Sequence, residues 1–181
     1  METGLTGLNE VEIPGAEGDQ VDRAAIVAAL TKSTPDRLLR TAQALRLGLT
    51  VEEIYDACAI DPWFLRQIEE IVAAEAEVRK AGLPENKQGL HRLKQMGFSD
   101  ARLSELAGLS EDEVAARRRI LDIHPVYKRI DTCAAEFASR TPYMYSTYEG
   151  NGLEPAECES EPSDRKKIII LGGGPNRIGQ G

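Results

Sequence analysis

Three corners written in one grammar constrain this chain more than any other feature. Gly48-Leu49-Thr50, Gly97-Phe98-Ser99 and Gly108-Leu109-Ser110 each set a glycine, an apolar residue and a hydroxyl residue in that order. Glycine ends a helix in the left-handed conformation at no steric cost. The apolar residue after it can fold back on the last turn, and the Ser or Thr then caps the next helix. Glu53 and Glu113 stand three residues after Thr50 and Ser110, which completes two capping boxes. Helices joined by so few residues must pack on one another. The 5% aromatic content argues the same way, for an aliphatic helical core rather than a β-sandwich.

The strongest single helix is predicted to start at Asp61-Pro62, a cap followed by proline at the first helical position. Phe64, Leu65, Ile68, Ile71, Val72 and Val78 form its apolar stripe, Arg79 and Lys80 suit its C-terminal dipole, and Gly82 and Pro84 stop it. At roughly 20 residues it would be about 30 Å long, the spine of a helical domain. Trp63, the only tryptophan, reads as a core or domain-contact anchor. Upstream, Gly4, Gly7, Pro14, Gly15 and Gly18 break residues 1–20 into loop. A weaker stripe through Val21, Ala24, Ala25, Ala28 and Leu30 predicts a helix ending near Lys32. Thr34-Pro35 is expected to open the next, which runs through Leu38, Leu39, Ala42 and Leu45 to Gly48.

After about Asp122 the pattern changes. Pro125 disfavours helix at His124, and residues 124–132 read as extended. Residues 143–148 alternate aromatic and smaller side chains like an edge strand. The net charge is −8, and much of it sits in one place: Glu149, Glu154, Glu157, Glu159, Glu161 and Asp164 follow one another with no base between. With Gly150, Gly152, Pro155 and Pro162 among them, this stretch is expected to be a linker. The remaining body is nearly neutral, which argues against a nucleic-acid surface. Lys166-Lys167 then leads into Ile168-Ile169-Ile170-Leu171, a run that reads as a strand buried on both faces, followed by Gly172-Gly173-Gly174. Strand and glycine loop together look like the opening of an α/β phosphate-binding unit. The expected fold is mainly α: an irregular multi-helix domain with short helix-turn-helix corners, an extended lead-out and one isolated β-strand.

Few motifs carry chemistry. Gly172 and Gly174 supply the first two glycines of a dinucleotide fingerprint, but Arg177 stands where the third belongs. Gly174 and Gly179 have P-loop spacing, but Gln180 replaces the lysine. Residues 99–119 resemble a helix-turn-helix, yet the second helix begins Glu111-Asp112-Glu113, where a DNA reader would face phosphates. A structural corner is the favoured reading, with a free-standing interaction or DNA-binding module of that type as the alternative. His91 and His124 lack companions at metal-ligand spacing, so no metal is assigned. Cys58, Cys133 and Cys158 are odd in number and far apart, as in a reduced cytoplasmic protein. Cys133 reads as a buried structural thiol, and Tyr143, Tyr145 and Tyr148 as packing residues. No run approaches the ~18 apolar residues of a membrane helix.

Two runs, read together, resemble the large subunit of carbamoyl phosphate synthase: HPVYKRIDTCAAEFASRTPYMYSTYE at 124–149 and KIIILGGGPNRIGQG at 167–181. IDPWFLRQIEEIV at 60–72, GFSDARLSELAG at 97–108 and the METGLTG start are similar to it as well. The resemblance implies a large subunit with two ATP-grasp halves joined by a helical oligomerisation domain. It implies synthesis of carbamoyl phosphate from bicarbonate, ammonia and two ATP, with Mg²⁺ or Mn²⁺ and K⁺. A glutaminase small subunit and further large-subunit copies would be the partners, and arginine and pyrimidine biosynthesis the destination. Residues 1–20 would be the tail of the first half and 21–150 the oligomerisation domain with its lead-out. Residues 151–165 would be an acidic linker, and 166–181 the first strand and loop of the second half. Gly172, Gly173, Gly174, Asn176 and Arg177 would form a substrate-side loop of that half. The family's catalytic, ATP and metal ligands map to no residue of this chain, so the segment is expected to be inert, to bind no cofactor and to self-associate.

Overall fold

The computed structural model describes residues 5–16, 22–130, 136 and 143–169. Among the described residues seven helices follow one another: α1 (Arg23–Thr31), α2 (Arg37–Arg46), α3 (Val51–Cys58), α4 (Pro62–Ala81), α5 (Lys87–Gln95), α6 (Asp100–Ala107) and α7 (Glu111–Ile120). Two short strands, β1 (Val126–Arg129) and β2 (Met144–Thr147), then pair in a two-stranded sheet. The chain divides into a helical unit, Met1–Val126 with Ser146–Glu157, and a smaller unit, Tyr127–Tyr145 with Cys158–Gly181.

All three corners form as their residues dictate. Gly48, Gly97 and Gly108 take φ values of 84°, 92° and 66°. The next amide in each case reaches back to the helix: Leu49 N–H to Ala44 O at 3.0 Å, Phe98 to Leu93 O at 3.2 Å, Leu109 to Ser104 O at 3.0 Å. Thr50 and Ser110 complete their capping boxes with Glu53 and Glu113, and Ser99 caps α6 through the Arg102 amide. Leu49 and Phe98 are buried, whereas Leu109 is 36% exposed, so the third corner gains less from its apolar residue. Gly97 has open space around its Cα, so replacing it by alanine should cost only the left-handed backbone penalty. That is about 1 kcal/mol, read as a lower urea midpoint at unchanged slope.

The helix starts upstream differ from the sequence reading. α1 is capped by Asp22, whose carboxylate accepts from the Ala24 and Ala25 amides, and it is anchored by Ile26 and Leu30. Ile26 lies outside the stripe that the sequence suggested. The start of α2 needs correcting too. Thr34-Pro35 forms a turn, with Arg37 N–H donating to Thr34 O, and the N-cap is Asp36. The Asp36 carboxylate makes no capping bond because Arg40, one turn on, takes it at 2.9 Å.

α4 is the spine, 20 residues from its Asp61 cap to Gly82. Its first half sends Leu65 into a core of Ile13, Ile26, Leu30, Ala44, Leu49, Val51 and Ile54. Its second half sends Ala74 and Val78 into another, with Leu83, Leu90, Leu93, Phe98, Leu103, Leu106, Val114 and Ile123. Burial of each large aliphatic side chain contributes about 1.5–3 kcal/mol. Phe64 does not join the stripe, and Trp63 is not in a core. They are 56% and 60% exposed, because the buried face runs through Leu65 and Ile68 and turns both rings outward.

Residues 146–157 pack onto the helical unit. Gln95 donates to Gly150 O at 2.6 Å, and the Tyr148 ring meets His91 edge-on at 6.2 Å. Gly152 has φ of 75°, and a Cβ there would lie 3.0 Å from the His91 Cβ and Cγ. Alanine at 152 should therefore detach this stretch while the helices stay folded, seen as faster amide exchange confined to 146–157. In the smaller unit, Glu159 accepts from Arg129 N–H at 2.6 Å, and its amide donates to Tyr127 O at 2.8 Å. Residues 166–169 make no strand, with Ile168 and Ile169 89% and 84% exposed. The rest of that expected strand lies outside the described residues. No described helix is long and apolar enough to cross a membrane.

Candidate functional site

The most elaborate constellation in the helical unit is a buried ion cluster centred on Glu75 of α4. Glu75 occupies the apolar register of that helix, one step after Ile68 and Ile71 and before Val78, and is 2% exposed. Arg102 of α6 donates to its Oε1 through Nε at 2.9 Å and Nη2 at 2.7 Å. Arg46, at the end of α2, donates to Oε2 through Nε at 3.1 Å and Nη2 at 2.5 Å. Two guanidinium forks thus hold one carboxylate from opposite sides. Glu10 closes the cluster from the N-terminal segment: it accepts from Arg102 at 3.1 and 3.2 Å and pairs with Arg79. Arg46 also donates to Leu8 O, Ser99 to Thr6 O at 3.2 Å, and Thr6 to Glu105 at 3.0 Å. Segment 5–16 is thereby fastened to three helices.

Electrostatics support this. Burial would raise the Glu10 carboxyl, but the hydrogen bonds and charge of Arg102, with Arg46, outweigh it and lower it from 4.5 to about 2. Arg102, despite its burial, is held above its usual value by Glu10, Glu75 and Glu105. A folded-state value below the unfolded one stabilises the fold above about pH 4.5, and that contribution is lost as pH falls toward about 2. Glu10→Gln should flatten acid unfolding across that window by lowering stability at pH 7 toward its value in acid, an effect that solvent screening keeps modest because Glu10 is 43% exposed.

A second node locks the α5–α6–α7 corners. Lys94, 7% exposed, donates to Phe98 O at 2.6 Å and Asp100 at 2.7 Å, and lies 5.5 Å from the Tyr148 ring centroid. Arg118 of α7 donates to Asp100 at 3.1 Å and Ile123 O at 3.2 Å. Burial pushes the Asp100 carboxyl up, and Lys94 and Arg118 bring it below its ordinary value. These cations are committed to partners within the fold and do not form an open clamp for phosphates. The same holds for the helix-turn-helix reading. Arg118 is tied to Asp100, Arg117 donates to Leu83 O at 3.3 Å, and the first turn of α7 is Glu111, Asp112 and Glu113, all exposed.

Those of the residues singled out in the sequence that the structure describes are not brought together. Gly172, Gly173, Gly174, Asn176 and Arg177 lie outside the described residues, as does Cys133. His91 is buried against Gly152 and Tyr148, while His124 is exposed with Asp122 at 3.3 Å. Among the described residues no group of three His, Cys, Asp or Glu is placed to hold a metal ion. Cys58 and Cys158 are free thiols. The Ser160 hydroxyl and amide, with the Tyr127 amide, hold Cys158 below the usual thiol value. Tyr143 and Tyr145 are 47% and 51% exposed rather than packed, and Tyr148 is half-buried. Sequence reasoning missed the burial of Glu75, Arg102 and Lys94. The available signal was an acid standing in the apolar register of α4.

The family model described as the carbamoyl-phosphate synthetase large chain, oligomerisation domain, matches residues 1–122. This chain belongs to that family. The match takes in all seven helices of the oligomerisation-domain fold and both ionic nodes. The carbamoyl phosphate synthase large chain of Brucella melitensis biotype 1 is 59% identical over 182 residues, 100% of this chain and 16% of the relative. That of Rhizobium meliloti is 58% identical over 181 residues, and that of Neisseria meningitidis serogroup B 53% over 182, with the same coverage. The chain therefore spans 16% of the length of these curated relatives.

Proposed function

We propose that this chain is the central, non-catalytic segment of a carbamoyl phosphate synthase large chain, and that its helical unit joins copies of that chain. The observation that carries this reading is the oligomerisation-domain match across the whole helical stretch. The internal pairing of buried charges supports it: among the described residues these ionic groups hold helices together. The whole protein would make carbamoyl phosphate from bicarbonate, ammonia and two ATP, with Mg²⁺ or Mn²⁺ and K⁺, in the cytoplasm. Ammonia would come from a glutaminase small subunit, and the product would serve arginine and pyrimidine synthesis. Residues 1–20 would end one synthetase half and 166–181 begin the next, with Gly172, Gly173, Gly174, Asn176 and Arg177 on its substrate side. ATP and metal would bind in those halves. The test is phosphate release from ATP with bicarbonate and Mg²⁺. The 181-residue chain should show none above blank, and bicarbonate-dependent release by it would refute the assignment.

A further inference from the structure

The exposed ridge of α4 is self-complementary, and we propose that it is the two-fold contact through which two copies of this chain pair, α4 against α4 in antiparallel. This rests on the self-association reading above and adds the face. Along α4, Trp63, Arg66, Glu70 and Ala73 recur at three- and four-residue spacing, so they share one stripe. All four are exposed. At its head, the Trp63 and Phe64 rings meet edge-on at 4.9 Å, 60% and 56% exposed. A large paired aromatic surface left in water is the kind of anchor that interfaces use. Arg66 and Glu70 have no ionic partner among the described residues, although most other arginines of the helical unit do.

A two-fold interface requires that residue i meet residue j and j meet i. A dyad at the level of Ile68 sets Arg66 against Glu70 of the second copy and Glu70 against its Arg66. The same register sets Trp63 opposite Ala73. The Trp63 ring thus meets a small residue, and each charge meets its opposite. Ala73 is the ridge between two shallow clefts, one bordered by Glu77, Val78 and Met96, the other by Leu45, Leu49 and Val72. Small residues on a ridge with a cleft on either side let a second helix approach closely. A partner of uniform charge would leave either Arg66 or Glu70 facing its like, which is why a second copy fits this stripe best.

Sedimentation of the 181-residue chain tests the face. Arg66→Glu and Glu70→Arg should each weaken self-association by about tenfold or more, because like charges then face each other twice. An equimolar mixture of the two variants should restore it, since each reversed residue then meets its complement. Trp63→Ala should weaken it about thirtyfold, with the melting temperature unchanged at dilutions where both proteins are monomeric. Association of the unaltered chain that neither reversal weakens, or that the mixture fails to restore, overturns this face and leaves self-association standing. A chain that is monomeric at every concentration overturns both.

Discussion

Replacement of Glu75 by alanine is expected to lower the unfolding free energy by about 3–5 kcal/mol. The loss comes less from the pair energy itself than from what remains. Arg46 and Arg102, 14% and 3% exposed, would lose their one buried carboxylate and keep only Glu10 and Glu105, which are 43% and 44% exposed. Removing one partner of a buried pair costs far more than a surface pair contributes. Against a typical total of 5–15 kcal/mol the variant would be marginal at best. Lys87→Ala, which removes a 3.4 Å pair with the 80% exposed Asp122, should fall within about 0.5 kcal/mol of the parent. Glu75→Leu combined with Arg102→Met should cost less than Glu75→Ala alone, because it leaves one guanidinium, Arg46, without its buried partner instead of two and fills the space with apolar side chains. Urea unfolding of the four proteins measures all of this. A Glu75→Ala effect no larger than that of Lys87→Ala would mean that the cluster is solvated in solution.

Leu65→Ala should cost about 2–5 kcal/mol, and its effect should reach both cores. Leu65 is fully buried where α1, α3 and α4 meet. Its own helix carries Ala74 and Val78 into the other core. One continuous 20-residue helix cannot lose its first half without fraying the second. The transition should therefore stay single, with Trp63 fluorescence and far-ultraviolet circular dichroism coincident. Two separated transitions would show that the cores unfold independently.

The legible parts of this fold are those decided by neighbours in sequence. A glycine followed by Leu or Phe and then Ser or Thr contains its own hydrogen bonds, so the three corners and both capping boxes could be read from the residues alone. The spine could be read for the same reason, from Asp61-Pro62 to Gly82. What escaped was decided by distant residues. Thr34-Pro35 has the chemistry of a helix start, but Asp36 and Arg40 pair and shift the cap by two residues. Glu75 looks like one acid among several, and only Arg46 and Arg102, brought in by α2 and α6, make its burial tolerable. Phe64 read as part of the buried stripe and Trp63 as a core or domain-contact anchor, because ring size argues for burial. Their outward direction follows from which face of α4 Leu65 and Ile68 use.

Self-association of the helical unit can be measured directly by sedimentation velocity on the unaltered 181-residue chain across a wide concentration range. The expected result is a monomer that converts to a dimer as concentration rises, with Trp63 emission shifting to shorter wavelength as its exposed ring is covered. A single monomeric species at every concentration, with constant Trp63 emission, would contradict it.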